Sequence, residues 1–259
     1  MKIALTFDIE RDIPNFLNTD FGVKFGLNKI LSVLDDYQIK CTFFCTGTIV
    51  KQQPQIIELI ESRGHEIACH SLNHERLNKL SFDECKEIIS KNKEMIQNRF
   101  QNSEIIGFRA PYLKPPKFIF KLLNDLGFKY DSSINLRKKS EYYQKKTYEV
   151  HEFYPLSVYA YFRLPLVFYI IKKWIFKKEQ IILYFHSWEA IDTKELIFMQ
   201  KSKLNLFKNL FFRPDRWINT GDSFITRINK FIKEALFKNA KFVTLKQLLK
   251  DINNKTKKI

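Results

Sequence analysis

His70 and His74 stand in the stretch CHSLNHERL, separated by Ser71, Leu72 and Asn73. On a helical turn, side chains at i and i+4 share one face, so both imidazoles can meet one cation. A carboxylate would complete the donor set. The run ALTFDIERD, Ala4 to Asp12, ends an apolar segment on Asp8 and follows it with Glu10 and Asp12. Two histidines and one carboxylate leave coordination positions open for water and a substrate oxygen, the arrangement of catalytic zinc. Taken alone, a carboxylate is more often a turn or cap residue, and two surface histidines are the commoner explanation of H-x-x-x-H. What sets them apart is placement: Asp8, Glu10, His70, Arg109, Asp131 and His186 all sit where otherwise apolar runs end.

Those runs are the elements that must position the chemistry. IALTFDI, KCTFFCTG, HEIACHS, IIGFRAP, FKYDSS and QIILYFHSW read as short strands. Between them lie amphipathic segments. In FGLNKILSVLDDYQI, Leu27, Ile30, Leu31 and Leu34 recur at helical spacing. QPQIIELIESRG stops at Gly64, and PPKFIFKLLNDLG stops at Gly127. SFDECKEIISKNKEMIQNRF opens with a capping box, Ser81 to Glu84. The stretch KFVTLKQLL closes the chain. Strands alternating with helices imply βαβ units and parallel strands, hence an α/β fold, either a closed barrel or a doubly wound sheet. In a parallel barrel the C-terminal strand ends build the active site. No glycine-rich phosphate motif supports a nucleotide fold.

The length of 259 residues suits one large domain, expected to span 1–259, with 137–178 as a less regular insert or outer segment. Hydrophobic residues make up 45% of the chain, enough for a sizeable core. Only 7 glycines and 8 prolines argue against long linkers. The net charge of +16 suits an acidic glycan, an anionic membrane face or nucleic acid. No recognised motif supports nucleic acid, so none is expected as a partner. Met1-Lys2 runs straight into a strand without a small-residue cleavage site, so a cytoplasmic location is expected. Cys41, Cys45, Cys69 and Cys85 form no CxxC pair and read as buried thiols. His65 and His151 read as structural.

With these motifs in order, the chain resembles the polysaccharide deacetylases of the NodB-homology type, carbohydrate esterase family 4. The resemblance runs from Ile3 to about Leu249. TFDIE is similar to the family's first motif, and HSLNH, led by RGHEIAC, to its second. RAPY (Arg109 to Tyr112), YDSS around Asp131 and YFHSWE (Tyr184 to Glu189) resemble the third, fourth and fifth. A closer resemblance is to the subgroup with D-x-E or D-x-D in the first motif, FHPWE in the fifth and a segment like G-G-Y-F-R-L-L-P. Here that segment reads VYAYFRLPLVFY, with Tyr159-Ala160 in place of the glycines and Ser187 in place of the proline.

The resemblance implies a distorted (β/α) barrel of about seven parallel strands and metal-dependent removal of N-acetyl groups from amino sugars of a polysaccharide or lipid-linked glycan. Glu10, His70 and His74 would bind one divalent ion, zinc by default, with iron or cobalt also suited; Asp12 is the alternative acidic ligand. Asp8 would be the base, held by Arg109, and the Tyr112 backbone N–H would help stabilise the oxyanion. His186 would protonate the departing amine, with Asp131 fixing its tautomer. Trp188 and Glu189 would shape the sugar pocket, and Arg163 would meet an acidic substrate group.

Two other classes stay open: a C–N hydrolase of small cyclic amides or imides, and a metal-containing glycan- or lipid-binding protein. A binder needs no base or acid, which speaks against the last. The segment 160–178 reads as an outer barrel helix with a basic exposed face. Its sharper reading is a membrane-surface helix meeting anionic lipid, for a membrane-peripheral enzyme.

Overall fold

The alternating runs wind into one parallel sheet in the computed structural model, which describes residues 1–14, 16–17, 19–99, 104–135, 148–156, 162–199 and 213–256. Its strands are β1 (Lys2–Ile9), β2 (Thr42–Cys45), β3 (Glu66–Cys69), β4 (Gly107–Phe108), β5 (Tyr130–Asp131), β6 (His151–Glu152), β7 (Gln180–His186) and β8 (Lys241–Phe242). The order is β6-β5-β4-β3-β2-β1-β7, parallel throughout, with β8 pairing the start of β1. Just past β6, Leu156 bridges to Leu183 of β7, so the two ends of the order meet and the sheet curls into a distorted barrel.

Strand alternation sorts the side chains. Ile3, Leu5, Phe7 and Ile9 of β1 pack outward into the main apolar core, where Phe7 lies 5.5 Å from Phe43 and 5.9 Å from Phe185. Each such buried side chain is worth about 1.5–3 kcal/mol. Ala4 faces the other way, into a smaller cluster with Phe44, Ala68, Tyr130 and Ile182. Leu245 and Leu248, from the helix that ends the described chain, belong to that cluster too. The same alternation puts Asp8 on the Ala4 face, inside the barrel. Register then brings Asp8 level with Phe44 and His186, and Phe108 level with Cys69 and Asp131. The strand ends form one rim.

Helices pack around the sheet: α1 (Leu27–Asp36), α2 (Gly47–Gln52), α3 (Gln55–Ser62), α4 (Phe82–Gln97), α5 (Ile119–Asp125), α6 (Pro165–Ile175), α7 (Thr193–Phe198), α8 (Asp222–Phe237) and α9 (Leu245–Thr256). Leu27, Ile30, Leu31 and Leu34 are the buried face of α1, as their spacing predicts. The Ser81–Glu84 capping box forms at α4, and Gly64 and Gly127 end their segments at φ 72° and 73°. The four cysteines are buried free thiols.

Within 137–178, residues 137–147 and 157–161, including Tyr159-Ala160, lie outside the described residues. The described part supplies β6 and α6. Helix α6 buries Phe168 and Ile175 and leaves Leu166, Ile170 and Trp174 exposed. Just past its end, Phe176 stacks on Phe231 of α8. Among the described residues, no helix is long and apolar enough to cross a membrane.

Candidate active site

Strand β1 ends by carrying Asp8 and then Glu10 into the barrel mouth, both almost wholly buried. Glu10 Oε2 faces Nε2 of His74 at 2.7 Å and Nε2 of His70 at 3.3 Å. Ligand atoms of Glu10, His70 and His74 all lie within 4.8 Å of one another. His70 follows β3, and its Nδ1 bonds the Arg109 carbonyl at 2.9 Å. A carbonyl only accepts, so Nδ1 is the donor and Nε2 is the atom turned toward Glu10; such an outer-shell contact is the one metal-binding histidines use. The donor set fits one divalent cation.

The histidine pair is not on a helical turn, as its spacing had suggested. Ser71 and His74 both adopt φ 60°, and this left-handed loop swings His74 back over His70, ring centroids 5.2 Å apart. Tyr112 and Leu113, across the pocket, are also left-handed, at φ 61° and 51°. Such values are rare for non-glycine residues and gather where a site over-determines the backbone. Asp12 points away from the cluster. It accepts from Thr19 Oγ1 at 2.9 Å, Phe21 N at 2.7 Å and Gly22 N at 2.8 Å, tying down the turn before α1. A Cβ on Gly22 would lie 2.5 Å from Trp188 and 2.6 Å from Asp12, so only glycine lets this turn pass beneath the end of β7.

Arg109, fully buried, donates to Asp8 Oδ1 at 2.7 Å. Its other nitrogens donate to the Ser132 carbonyl and hydroxyl, both at 3.0 Å, and its guanidinium lies 4.0 Å over the Phe44 ring. Asp8 Oδ2 lies 3.7 Å from His70 Nε2. Burial works against the charged form of Glu10, but the charge of His74 and hydrogen bonds from His70 and His74 hold its carboxyl well below the usual range. Burial likewise opposes a charged His70, yet Asp8 and Glu10 raise its pKa. The cluster attracts positive charge.

His186 closes the far side, its Nε2 3.9 Å from Glu10 Oε1. Burial opposes its charged form, but the Glu189 hydrogen bond and then Glu10 raise its pKa. The carboxylate at its Nδ1 is Glu189, at 3.0 Å, and not Asp131 as expected. Asp131 instead accepts a hydrogen bond from the Ser133 hydroxyl and neighbours Glu152. Burial pushes Asp131 up to about 6, and burial and then the neighbouring Asp131 charge push Glu152 well above its usual range. Ser133 Oγ also accepts Ala110 N at 2.7 Å, so Asp131 braces the Arg109 loop from behind. β5 and β6 are neighbours in register there, and that placement turns Asp131 toward Glu152.

Glu189 and Arg163 do not face the pocket as sugar contacts. Both are wholly buried, and they pair at 2.8 Å, since a charge out of water needs a partner. Trp188 does line the pocket, stacked on His186 at 4.9 Å. The cavity, about 400 Å³, is also lined by Asp8, Glu10, Tyr112 and Tyr184. Arg76, Lys114 and Arg216 line it as well; sequence reading missed them because no motif marks residues that only the fold brings together. Glu152 and Ser132 were missed for the same reason. Glu189 had a signal, since His186-x-x-Glu189 has capping-box spacing, and Glu189 Oε1 does accept the His186 backbone N–H at 3.0 Å. A second hollow of about 880 Å³, with Arg11, Lys51 and Lys91, meets the first at Pro14 and His74.

A family model described as polysaccharide deacetylase matches residues 1–130. The peptidoglycan-N-acetylmuramic acid deacetylase PdaA of Bacillus subtilis is 34% identical over 107 residues, 40% of this chain and 38% of that protein. A chitooligosaccharide deacetylase of Sinorhizobium fredii is 28% identical over 111 residues, 43% of this chain and 46% of that protein. The match thus spans less than half the length of these curated relatives. Among solved structures, a candidate polysaccharide deacetylase from Mycobacterium smegmatis has a TM-score of 0.71 at 19% identity, covering 98% of this chain and 91% of that one. A carbohydrate esterase family 4 pseudoenzyme from Bacillus anthracis has a TM-score of 0.61 at 16% identity, covering 96% of this chain and 65% of that one. Likeness at this level of identity shows the fold alone.

Proposed function

Because the chain belongs to the polysaccharide deacetylase family, we propose that it is a metal-dependent hydrolase that removes N-acetyl groups from amino sugars of a glycan. One observation carries this reading: Asp8, Glu10, His70, His74, Arg109 and His186, from separate strand ends and loops, converge on one pocket. Glu10, His70 and His74 would hold the divalent ion, with zinc the default for this donor set. When bound, the ion supplies Lewis-acid polarisation of the acyl oxygen and makes water more acidic.

The chain's own residues do the rest. Asp8 takes a proton from the water that attacks the acyl carbon, and Arg109 keeps its carboxylate oriented. Tyr112, at the pocket wall, offers its backbone N–H to the developing oxyanion. His186 gives a proton to the departing amine. Trp188 supplies an apolar face for a sugar ring. The adjoining basic hollow offers room for further sugars. Lipid-linked glycans fall within this proposal, and contact with anionic membrane draws support from Leu166, Ile170 and Trp174, exposed beside Lys173 and Lys177. Vesicle flotation tests that contact.

The deciding experiment for the activity is acetate release from a panel of N-acetylated glycans by metal-loaded protein. Asp8→Asn and His186→Ala should abolish it. No release across the panel, with metal bound, would sink the reading.

A further inference from the structure

We infer that Glu189 is the positioning residue of His186 and that Arg163 locks Glu189 in place, so that the three form one clamp on the pocket's far side. This rests on the reading of His186 as proton donor. Glu189 Oε1 lies 3.0 Å from both Nδ1 and the backbone N of His186, so one oxygen holds ring and main chain together. An ionised carboxylate only accepts hydrogen bonds. Nδ1 therefore carries a proton toward Glu189, and Nε2 is the atom presented to the pocket. Trp188, stacked at 20°, and Tyr184, edge-on at 5.5 Å, set the plane of the ring.

The other carboxylate oxygen of Glu189 accepts from Arg163 Nε at 2.8 Å. The remaining guanidinium nitrogens of Arg163 donate to the carbonyls of Asp215 and Ile218. Asn219 Nδ2 donates to the Arg163 carbonyl at 2.8 Å, and Gly221 N donates to the Glu189 carbonyl at 2.9 Å. The clamp is thereby fastened to segment 213–221, the wall that brings Arg216 to the cavity. A buried ion pair stabilises a fold poorly compared with apolar groups of the same volume. Its placement directly behind a ring that faces the pocket is accounted for by orientation of that ring.

The test compares Glu189→Gln and Arg163→Lys with wild type, all metal-loaded, on two substrates. N-acetylglucosamine oligomers lose an amine that must be protonated, whereas para-nitrophenyl acetate loses a phenolate that needs no proton. Glu189→Gln should lower kcat on the oligomer about 100-fold or more with KM within about twofold. Its aryl ester rate should stay within about threefold of wild type. Arg163→Lys, which keeps the charge, should fall between wild type and Glu189→Gln. Nitrogen NMR of wild type should show Nδ1 of His186 protonated. Equal losses on both substrates would indicate a merely structural role and overturn the inference, as would an unprotonated Nδ1. Should wild type release acetate from no N-acetylated glycan, the deacetylase reading falls, while the state of Nδ1 still decides the clamp.

Discussion

Arg109 donates to Asp8 across 2.7 Å in a place where neither side chain meets bulk water. The same guanidinium holds Ser132 by two further bonds, so each of its three nitrogens is engaged. Arg109→Met should therefore cost about 3–5 kcal/mol of stability, because it leaves a buried carboxylate unpaired. Arg109→Lys keeps a charge but loses the fork and should still lower acetate release about 100-fold. In Asp8→Asn/Arg109→Met, stability should recover in part while activity does not. Urea denaturation together with acetate release checks both statements.

Glu10 faces the two imidazoles, whereas Asp12 is committed to the Thr19–Gly22 turn. Glu10→Gln should abolish stoichiometric metal binding. Asp12→Asn should keep the metal and instead lower stability by about 1–2 kcal/mol, through lost charge-assisted bonds to backbone N–H groups. Metal content by emission spectroscopy separates the two. Protons and a cation compete for the same imidazole nitrogens. The pKa of His70 is raised, so affinity should fall as pH drops through and below the neutral range.

The Asp131–Glu152 pair sets a stability term of opposite sign to most carboxylates. Burial raises both pKa values, that of Asp131 to about 6. The folded pair keeps a proton that the unfolded chain gives up near pH 4, so its contribution is present in acid and declines as pH rises through about 6. Glu152→Gln supplies a permanent donor and should be more stable than wild type at pH 8 by roughly 2 kcal/mol, with little difference at pH 4. Denaturation midpoints at the two pH values test this.

His65 works the other way on the acid side. It accepts Cys41 N–H at 3.2 Å, and burial lowers its pKa to about 4. The unfolded chain binds a proton near pH 6.5 that the folded chain refuses, so this residue costs stability progressively as pH falls from about 6.5 to about 4. His65→Asn keeps an acceptor without a titrating ring and should flatten that decline by about 1–3 kcal/mol. Melting curves of the two proteins across that window give the answer.

Much of the barrel was legible in the sequence because its causes are local. Apolar runs such as IALTFDI and QIILYFHSW became β1 and β7, the Leu27–Leu34 stripe became the buried face of α1, and Ser81–Glu84 capped α4. Strand β6 was not read, since His151–Glu152 carries no apolar alternation and pairs only because β5 lies beside it. In the site, the metal-type triad and the Arg109–Asp8 pair were legible. The partner of His186 was not: Asp131 and Glu189 are both carboxylates in suitable motifs, and sequence order does not say which one a ring will face.

By itself, the sequence determined the α/β class, the rim of polar strand ends and the donor types for a divalent ion, because periodicity and residue chemistry are local properties. Only the tertiary structure decided which carboxylate meets which base. It set Glu10 against the histidines and Asp12 against a turn, Asp131 against Glu152, and Glu189 behind His186. The physical reason is burial. Once water is excluded, each charge must take the partner that register and loop geometry bring within hydrogen-bonding reach, and that distance is a property of the folded chain.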